Sequence, residues 1–222
     1  MVRPSAVDPP EITFMLWDGF GGGWDGPPFG YGWDIGANCG QSVVTMSKLF
    51  AEYTGFEPHP DSWSYARKQY PAADIRQIAV SDKPGEVELA LPPGEQTATG
   101  QLVTIGTPGM EWSVRDWREV PRHKVPCTTA DALVHELGMP GFIKVDTEGH
   151  ESKVLIGAEE ILKAGTVDWL IEFHGEPNSL WCQAALKDHG YHVELVRHPH
   201  YREGSKLWKA HGWLRAMAPS RV

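Results

Sequence analysis

Two short stretches concentrate side chains able to exchange protons or hold a cation. "VDTEGHE" brings together Asp146, Glu148, His150 and Glu151, and "IEFHG" supplies Glu172 and His174. An unperturbed imidazole titrates near neutral pH, which makes His174 the preferred general base. A base within reach of the moving proton typically adds about 10²–10⁴-fold to a rate. Glu172 lies two residues earlier on the same strand face, so it can orient His174 or compete with it. Asp146, Glu148, Glu172 and His174 could also converge on a divalent ion such as Mg²⁺, which prefers oxygen ligands, although their spacing does not demand a metal. Each has a plainer use as well. Asp146, Glu148 and His150 can cap the helix after the glycine turn, and His174 can be a hydrogen-bonded histidine at a strand end.

A second group suits ligand binding. In "WDIGANCGQS" a strand ends at Asp34 and Ile35, Gly36 and Gly40 allow a tight turn, and a helix begins near Gln41. Free N–H groups at such a helix start attract a carboxylate or phosphate. "GFEPHP" then delivers Glu57 at the end of the next strand, where a carboxylate can accept both hydroxyl hydrogens of a ribose. The turn lacks GxGxxG spacing, and Asp34 ahead of its glycines would repel a pyrophosphate. A ligand with a ribose and an amino-acid end therefore fits better than a dinucleotide; a tight connection with no ligand is the alternative. A formal GxGxxG does occur upstream at Gly21, Gly23 and Gly26, but it runs into Pro27 and Pro28 instead of opening a helix. That stretch reads as a flexible entry segment.

Strand-like and helix-like stretches alternate from residue 33 onward. "QSVVTMSKLFAEY" puts Val43, Val44, Ser47 and Phe50 on one helical face. Strands are expected at "YTGFEPHP", "DIRQIAVSD" and "GEVELAL", the last alternating Val87, Leu89 and Leu91. "TTADALVHELG" opens on a threonine cap and closes on Gly138. "GFIKVDTEG" is a strand. "ESKVLIGAEEILKAG" is one helix with Val154, Leu155, Ala158, Ile161 and Leu162 on its buried stripe. "VDWLIEFHG" is apolar almost throughout, as in a strand covered on both faces. "SLWCQAALKDHG" is helical, and "YHVELVRH" and "KLWKAHGWLRAM" close the chain as two strands. The result is an α/β fold: a mostly parallel central sheet, helices on both faces and a C-terminal antiparallel hairpin.

Residues 1–32, rich in Gly, Pro and Trp, stand apart from a single domain over 33–222, and residues 92–126 form a long insertion or lid. Trp33, Trp169 and Trp181 are expected in the core. Trp17, Trp24, Trp112 and Trp117 lie in the irregular stretches, where they cap an acceptor or bury their own loops.

The formal net charge of −9 argues against a general nucleic-acid surface. No apolar run reaches membrane-span length, and the N-terminus lacks a signal-peptide core. Cys39, Cys127 and Cys182 are few and widely spaced, which suits a reducing compartment. A cytoplasmic protein without a membrane partner is expected.

The motifs "DIGANCGQS", "GFEPHPD", "IRQIAVSDKPGEVEL", "TTADALV" and "GFIKVDTEGHESKVLIGAEEIL" together resemble the FkbM-type methyltransferases. The resemblance covers roughly residues 33–175, and its most specific part is "DIGANCG" paired with "KVDTEGHE". It implies a Rossmann-like class I methyltransferase fold and S-adenosylmethionine as cofactor. By motif, Asp34, Gly36, Asn38 and Gly40 would surround its methionine part, Glu57 would hold the ribose, and Ser81 and Asp82 would lie near the adenine. Asp146 would sit closest to both cofactor and acceptor. The reaction implied is methyl transfer to oxygen on a sugar or other small molecule. A module that binds the nucleoside without catalysing, or an NAD-dependent oxidoreductase, are the rival readings.

Overall fold

The computed structural model describes residues 29–90, 121–197 and 203–221. Its backbone is a seven-stranded sheet in the order β3-β2-β1-β7-β8-β10-β9. The strands are β1 (Phe29–Ile35), β2 (Phe50–Phe56), β3 (Asp74–Arg76), β7 (Phe142–Val145), β8 (Asp168–His174), β9 (His192–Arg197) and β10 (His211–Met217). β1, β2, β3, β7 and β8 run parallel, whereas β10 is antiparallel to both β8 and β9. A second, three-stranded sheet has the order β4-β6-β5, from β4 (Ala79–Val80), β5 (Gly85–Ala90) and β6 (Arg122–Thr128).

Both faces of the large sheet are covered, as the unbroken apolar run of β8 requires. One face packs Trp33, Ile35, Ile143, Trp169, Ile171 and Phe173 into the main core. Successive side chains alternate across the sheet, so Phe142 and Leu170 go to the opposite face with Met46, Phe50 and Trp213.

The helices are α1 (Val43–Leu49), α2 (Pro60–Gln69), α3 (Ala130–Leu137), α4 (Glu151–Ile156), α5 (Glu159–Ala164), α6 (Glu176–Asp188) and the one-turn α7 (Lys206–Ala210). α3 starts as its sequence says: Thr129 accepts the Ala132 N–H at 3.1 Å and Gly138 ends the helix. Thr129→Val should therefore cost about 1 kcal/mol, seen as a lower urea midpoint.

Several elements differ from expectation. Phe50 opens β2 instead of closing α1, because its ring stacks on Phe142 with centroids 5.2 Å apart beneath the sheet. Val43 and Met46 carry the buried face of α1, and Val44 is exposed. The single helix expected over 151–165 is two, broken at Gly157. A Cβ there would lie 2.0 Å from the Ser81 carbonyl oxygen, and the Gly157 carbonyl accepts the Asp131 N–H. All five residues of the expected stripe remain buried. Lys206–Ala210 is α7, so the closing hairpin of β9 and β10 is joined through a helical turn. Trp181 is 42% exposed beside the exposed Leu180, not core.

Residues 122–126, expected at the end of a long connection, belong to β6. The Gly21–Gly26 motif, Trp17, Trp24, Leu91, Trp112 and Trp117 lie outside the described residues. Among the described residues no helix is long and apolar enough to cross a membrane.

Candidate active site

The carboxyl ends of β1, β2 and β7 open on a cleft. Gly36 turns the chain off β1 with φ 88°, and a Cβ there would sit 1.8 Å from the Asp146 carbonyl oxygen. Only glycine lets these two strand ends approach so closely. Asn38 follows with φ 50°, and Glu148 on the loop after β7 has φ 54°. They are the two non-glycine residues with positive φ among the described residues, and both line the cleft. Such conformations cost about 1 kcal/mol or more and gather at functional sites.

Glu57, at the end of β2, is fully buried from solvent yet forms part of the cleft wall. Its Oε2 accepts the Asn38 N–H and its Oε1 accepts the His59 N–H, both at 2.7 Å. Those two bonds fix the carboxylate while leaving lone pairs for further donors. Burial pushes Glu57 up to about 7, with Asp34 and Asp146 adding to the rise and the two N–H groups opposing it. The neighbouring wall is apolar: Ile78, Val80, Val87, Leu89 and Val125, drawn largely from the small sheet.

Asp34 does not face the cleft as expected. Its fully buried carboxylate points into the sheet, accepting from Lys144 Nζ at 2.8 Å, Tyr53 Oη at 3.2 Å and Ser42 Oγ. It holds the turn from within. Gly40 likewise lies off the cleft wall, packed against the Tyr70 ring. Lys144 was not anticipated. The signal was present in "FIKVD": a lysine inside a buried parallel strand must find a carboxylate. Burial would lower its pKa, but Asp34 and then Asp146 outweigh that and raise it.

Ser81 and Asp82 stand behind the wall. Ser81 Oγ is 2.9 Å from His150 Nε2 and donates to Asp82 Oδ1 at 3.0 Å, while Asp82 pairs with Lys153 at 2.9 Å. The Lys153 bond keeps Asp82 below the usual carboxylate range. Within this group only His150 reaches the cleft.

The other end of the cleft brings Asp146 and Glu148 against His174 and Glu172. His174 is 2% exposed. Its Nδ1 lies 3.0 Å from Glu151 Oε1, and its Nε2 lies 3.3 Å from Glu148 Oε2 and 4.0 Å from Glu172 Oε1. Glu151 is fully buried and also accepts the Gly149 and Thr147 N–H groups and Asn178 Nδ2. Burial pushes Glu148 up to about 7 and Glu172 up to about 8. Burial opposes charge on Glu151 and His174 too, but the His174 bond lowers Glu151, while Glu148 and then Glu151 raise His174. Both nitrogens of His174 thus face carboxylates, which leaves no lone pair turned to a substrate. The expectation of His174 as general base does not suit this geometry. His211 of β10 lies opposite His174 in register, its ring edge-on at 4.8 Å. Nothing near His211 in the sequence marked it, because only the antiparallel return of β10 carries it there.

Residues 34–203 match the family described as the methyltransferase FkbM domain. The chain belongs to the FkbM methyltransferase family. The hexuronic acid methyltransferase AglP of Haloferax volcanii is 26% identical over 138 residues, which is 60% of this chain and 51% of that protein. The chain thus spans about half the length of this curated relative. An FkbM methyltransferase from Methylobacillus flagellatus superposes with a TM-score of 0.57 at 14% identity, covering 86% of this chain and 44% of the other. Aeropyrum pernix fibrillarin, solved with S-adenosylmethionine bound, superposes with a TM-score of 0.52 at 12% identity, covering 93% and 74%. The FkbM domain here accordingly has the class I S-adenosylmethionine methyltransferase fold, with a Rossmann-like parallel sheet and a C-terminal antiparallel hairpin.

Proposed function

We propose that residues 33–222 form one catalytic domain that binds S-adenosylmethionine and methylates an oxygen of a small hydroxylated acceptor, a sugar in the first instance. The observation that carries this reading is Glu57, anchored by two backbone N–H groups beside an apolar wall. A carboxylate so held accepts the two ribose hydroxyls, and Ile78, Val80, Leu89 and Val125 sandwich the adenine. The Gly36 and Asn38 turn cradles the methionine end, with Asp34 and Lys144 stiffening it from behind.

When bound, the cofactor supplies an electrophilic methyl group on a sulfonium. The chain's part is placement. Asp146 and Glu148 face the cleft, accept hydrogen bonds from an acceptor hydroxyl, turn a lone pair toward the methyl carbon and take up the proton the oxygen loses as the methyl group leaves the sulfur. Fixing two reactants in line lowers a barrier without further chemistry. His174 and Glu151 act as a positioning pair that holds Glu148, and Glu172 flanks them. AglP acts on hexuronic acids, which puts uronic acid glycosides first among acceptors to try.

Calorimetry with S-adenosylmethionine, S-adenosylhomocysteine and NAD, followed by mass spectrometry of a sugar and uronic acid panel incubated with deuteromethyl cofactor, tests this. Binding of both methionine-derived ligands and a labelled methyl ester or ether are expected. Binding of NAD alone would turn the reading to hydride transfer, and cofactor binding with no labelled product across the panel would favour a binding module.

The Glu57 site also sets a pH dependence. Ribose hydroxyls donate to the ionised carboxylate, whose pKa burial has pushed up to about 7. Affinity for S-adenosylhomocysteine should be full well above that pH and fall about tenfold for each unit below it. Calorimetry at several pH values on both sides of neutrality reads this directly, and a flat profile would contradict the ribose role.

A further inference from the structure

The acceptor end of the cleft holds more than placement requires. We infer that Asp146, Glu148 and His174 bind a divalent cation of the Mn²⁺ or Zn²⁺ class, with Glu172 as a neighbouring fourth donor. The ion site stands on ligand geometry; its place beside the acceptor rests on the methyl-transfer reading.

One donor atom from each of Asp146, Glu148 and His174 lies within 4.8 Å of the other two. Donors about 2.1 Å from a shared ion are themselves separated by about 3.0–4.2 Å. The 3.3 Å from His174 Nε2 to Glu148 Oε2 and the 4.0 Å to Glu172 Oε1 fall inside that range.

The imidazole separates this group from a solvated acidic patch. His174 is 2% exposed, and its Nδ1 is bound to Glu151, which is fully buried. A carboxylate on the far nitrogen is the arrangement that fixes the tautomer of a metal-binding histidine and aims its other nitrogen at the ion. Here Nε2 is aimed at Glu148 and Glu172, and ion binding displaces the proton it now shares with them. Neighbouring strands supply two of the ligands: His174 closes β8, and Asp146 directly follows the adjacent parallel strand β7.

Charge points the same way. Asp34, Asp146, Glu148, Glu151 and Glu172 crowd this end, and the lysine among them, Lys144, is taken up by Asp34 at 2.8 Å with Asp146 at 3.7 Å. A divalent ion offsets the remainder. It would also let a carboxylated sugar approach a wall that otherwise repels it. His211 and Glu172 make a second possible group with His174, but Asp146 and Glu148 line the cleft and the other two do not. One nitrogen among oxygen donors moves the preference from Mg²⁺ toward Mn²⁺ or Zn²⁺.

The test titrates the chelator-stripped chain with Mn²⁺, following the free-ion signal by electron paramagnetic resonance, and titrates S-adenosylhomocysteine by calorimetry in parallel. One Mn²⁺ per chain is expected, weakened at least about tenfold in His174→Ala and in Glu148→Gln. Glu148 is on a loop, so its variant keeps the answer readable if the His174 variant fails to fold. No Mn²⁺ uptake by the wild type, or equal uptake by both variants, would overturn the ion site. Mn²⁺ uptake without S-adenosylhomocysteine binding would leave the ion site standing and remove the methyl-transfer reading instead.

Discussion

Glu57→Ala is expected to weaken S-adenosylhomocysteine binding by at least about 100-fold while leaving the chain folded. Hydrogen bonds to a charged group contribute about 1.5–3 kcal/mol each, and the proposed ribose contact makes two. The replacement also frees the Asn38 and His59 N–H groups that the carboxylate now holds at 2.7 Å, so the turn shaping the methionine end loosens as well. Glu57→Gln keeps the shape and one acceptor oxygen, so its loss should be smaller. Calorimetry on all three proteins checks this. An unchanged dissociation constant in Glu57→Ala would remove the ribose role.

The second large effect lies beneath the cleft. Lys144 is 6% exposed in the middle of β7, and its partner Asp34 is fully buried. Lys144→Met fits the strand but strands a buried carboxylate, which typically costs about 3–5 kcal/mol. For a domain of this size that is a fall in Tm of about 10 °C. Asp34→Asn in the same chain should recover part of the loss, because the uncompensated charge is gone. Scanning calorimetry on the single and double variants measures it. Full stability in Lys144→Met would mean that the pair is not what ties β1 to β7.

The architecture was legible where one residue pattern admitted one environment. The apolar run of β8 reads as a strand covered on both faces, and its neighbours are indeed core on each side. Thr129 and Gly138 mark the ends of α3 because cap chemistry is local. The reading failed where distant contacts decided. Phe50 fits a helical stripe until Phe142 is placed beneath it. Gly157 looks like an ordinary helix glycine until the Ser81 carbonyl presses on it. Trp181 is large and apolar, but its position on α6 turns it toward solvent.

The same holds in the site. Gly36, Asn38 and Glu57 could be read from a turn and the strand after it, and they do meet at the cleft. Asp34 could not, since its direction depends on Lys144, more than a hundred residues away in the chain. Glu148 and His174 were singled out by residue type, but their relation reverses the expected one. The imidazole is enclosed by carboxylates, and of these Glu148 faces the cleft.

A crystal structure of the chain with S-adenosylhomocysteine bears most directly on the central claim. The account places both ribose hydroxyls on Glu57, the adenine against Val80, Leu89 and Val125, and the sulfur beside Asp146. A nucleoside seated elsewhere, or a ribose out of hydrogen-bonding reach of Glu57, would contradict it.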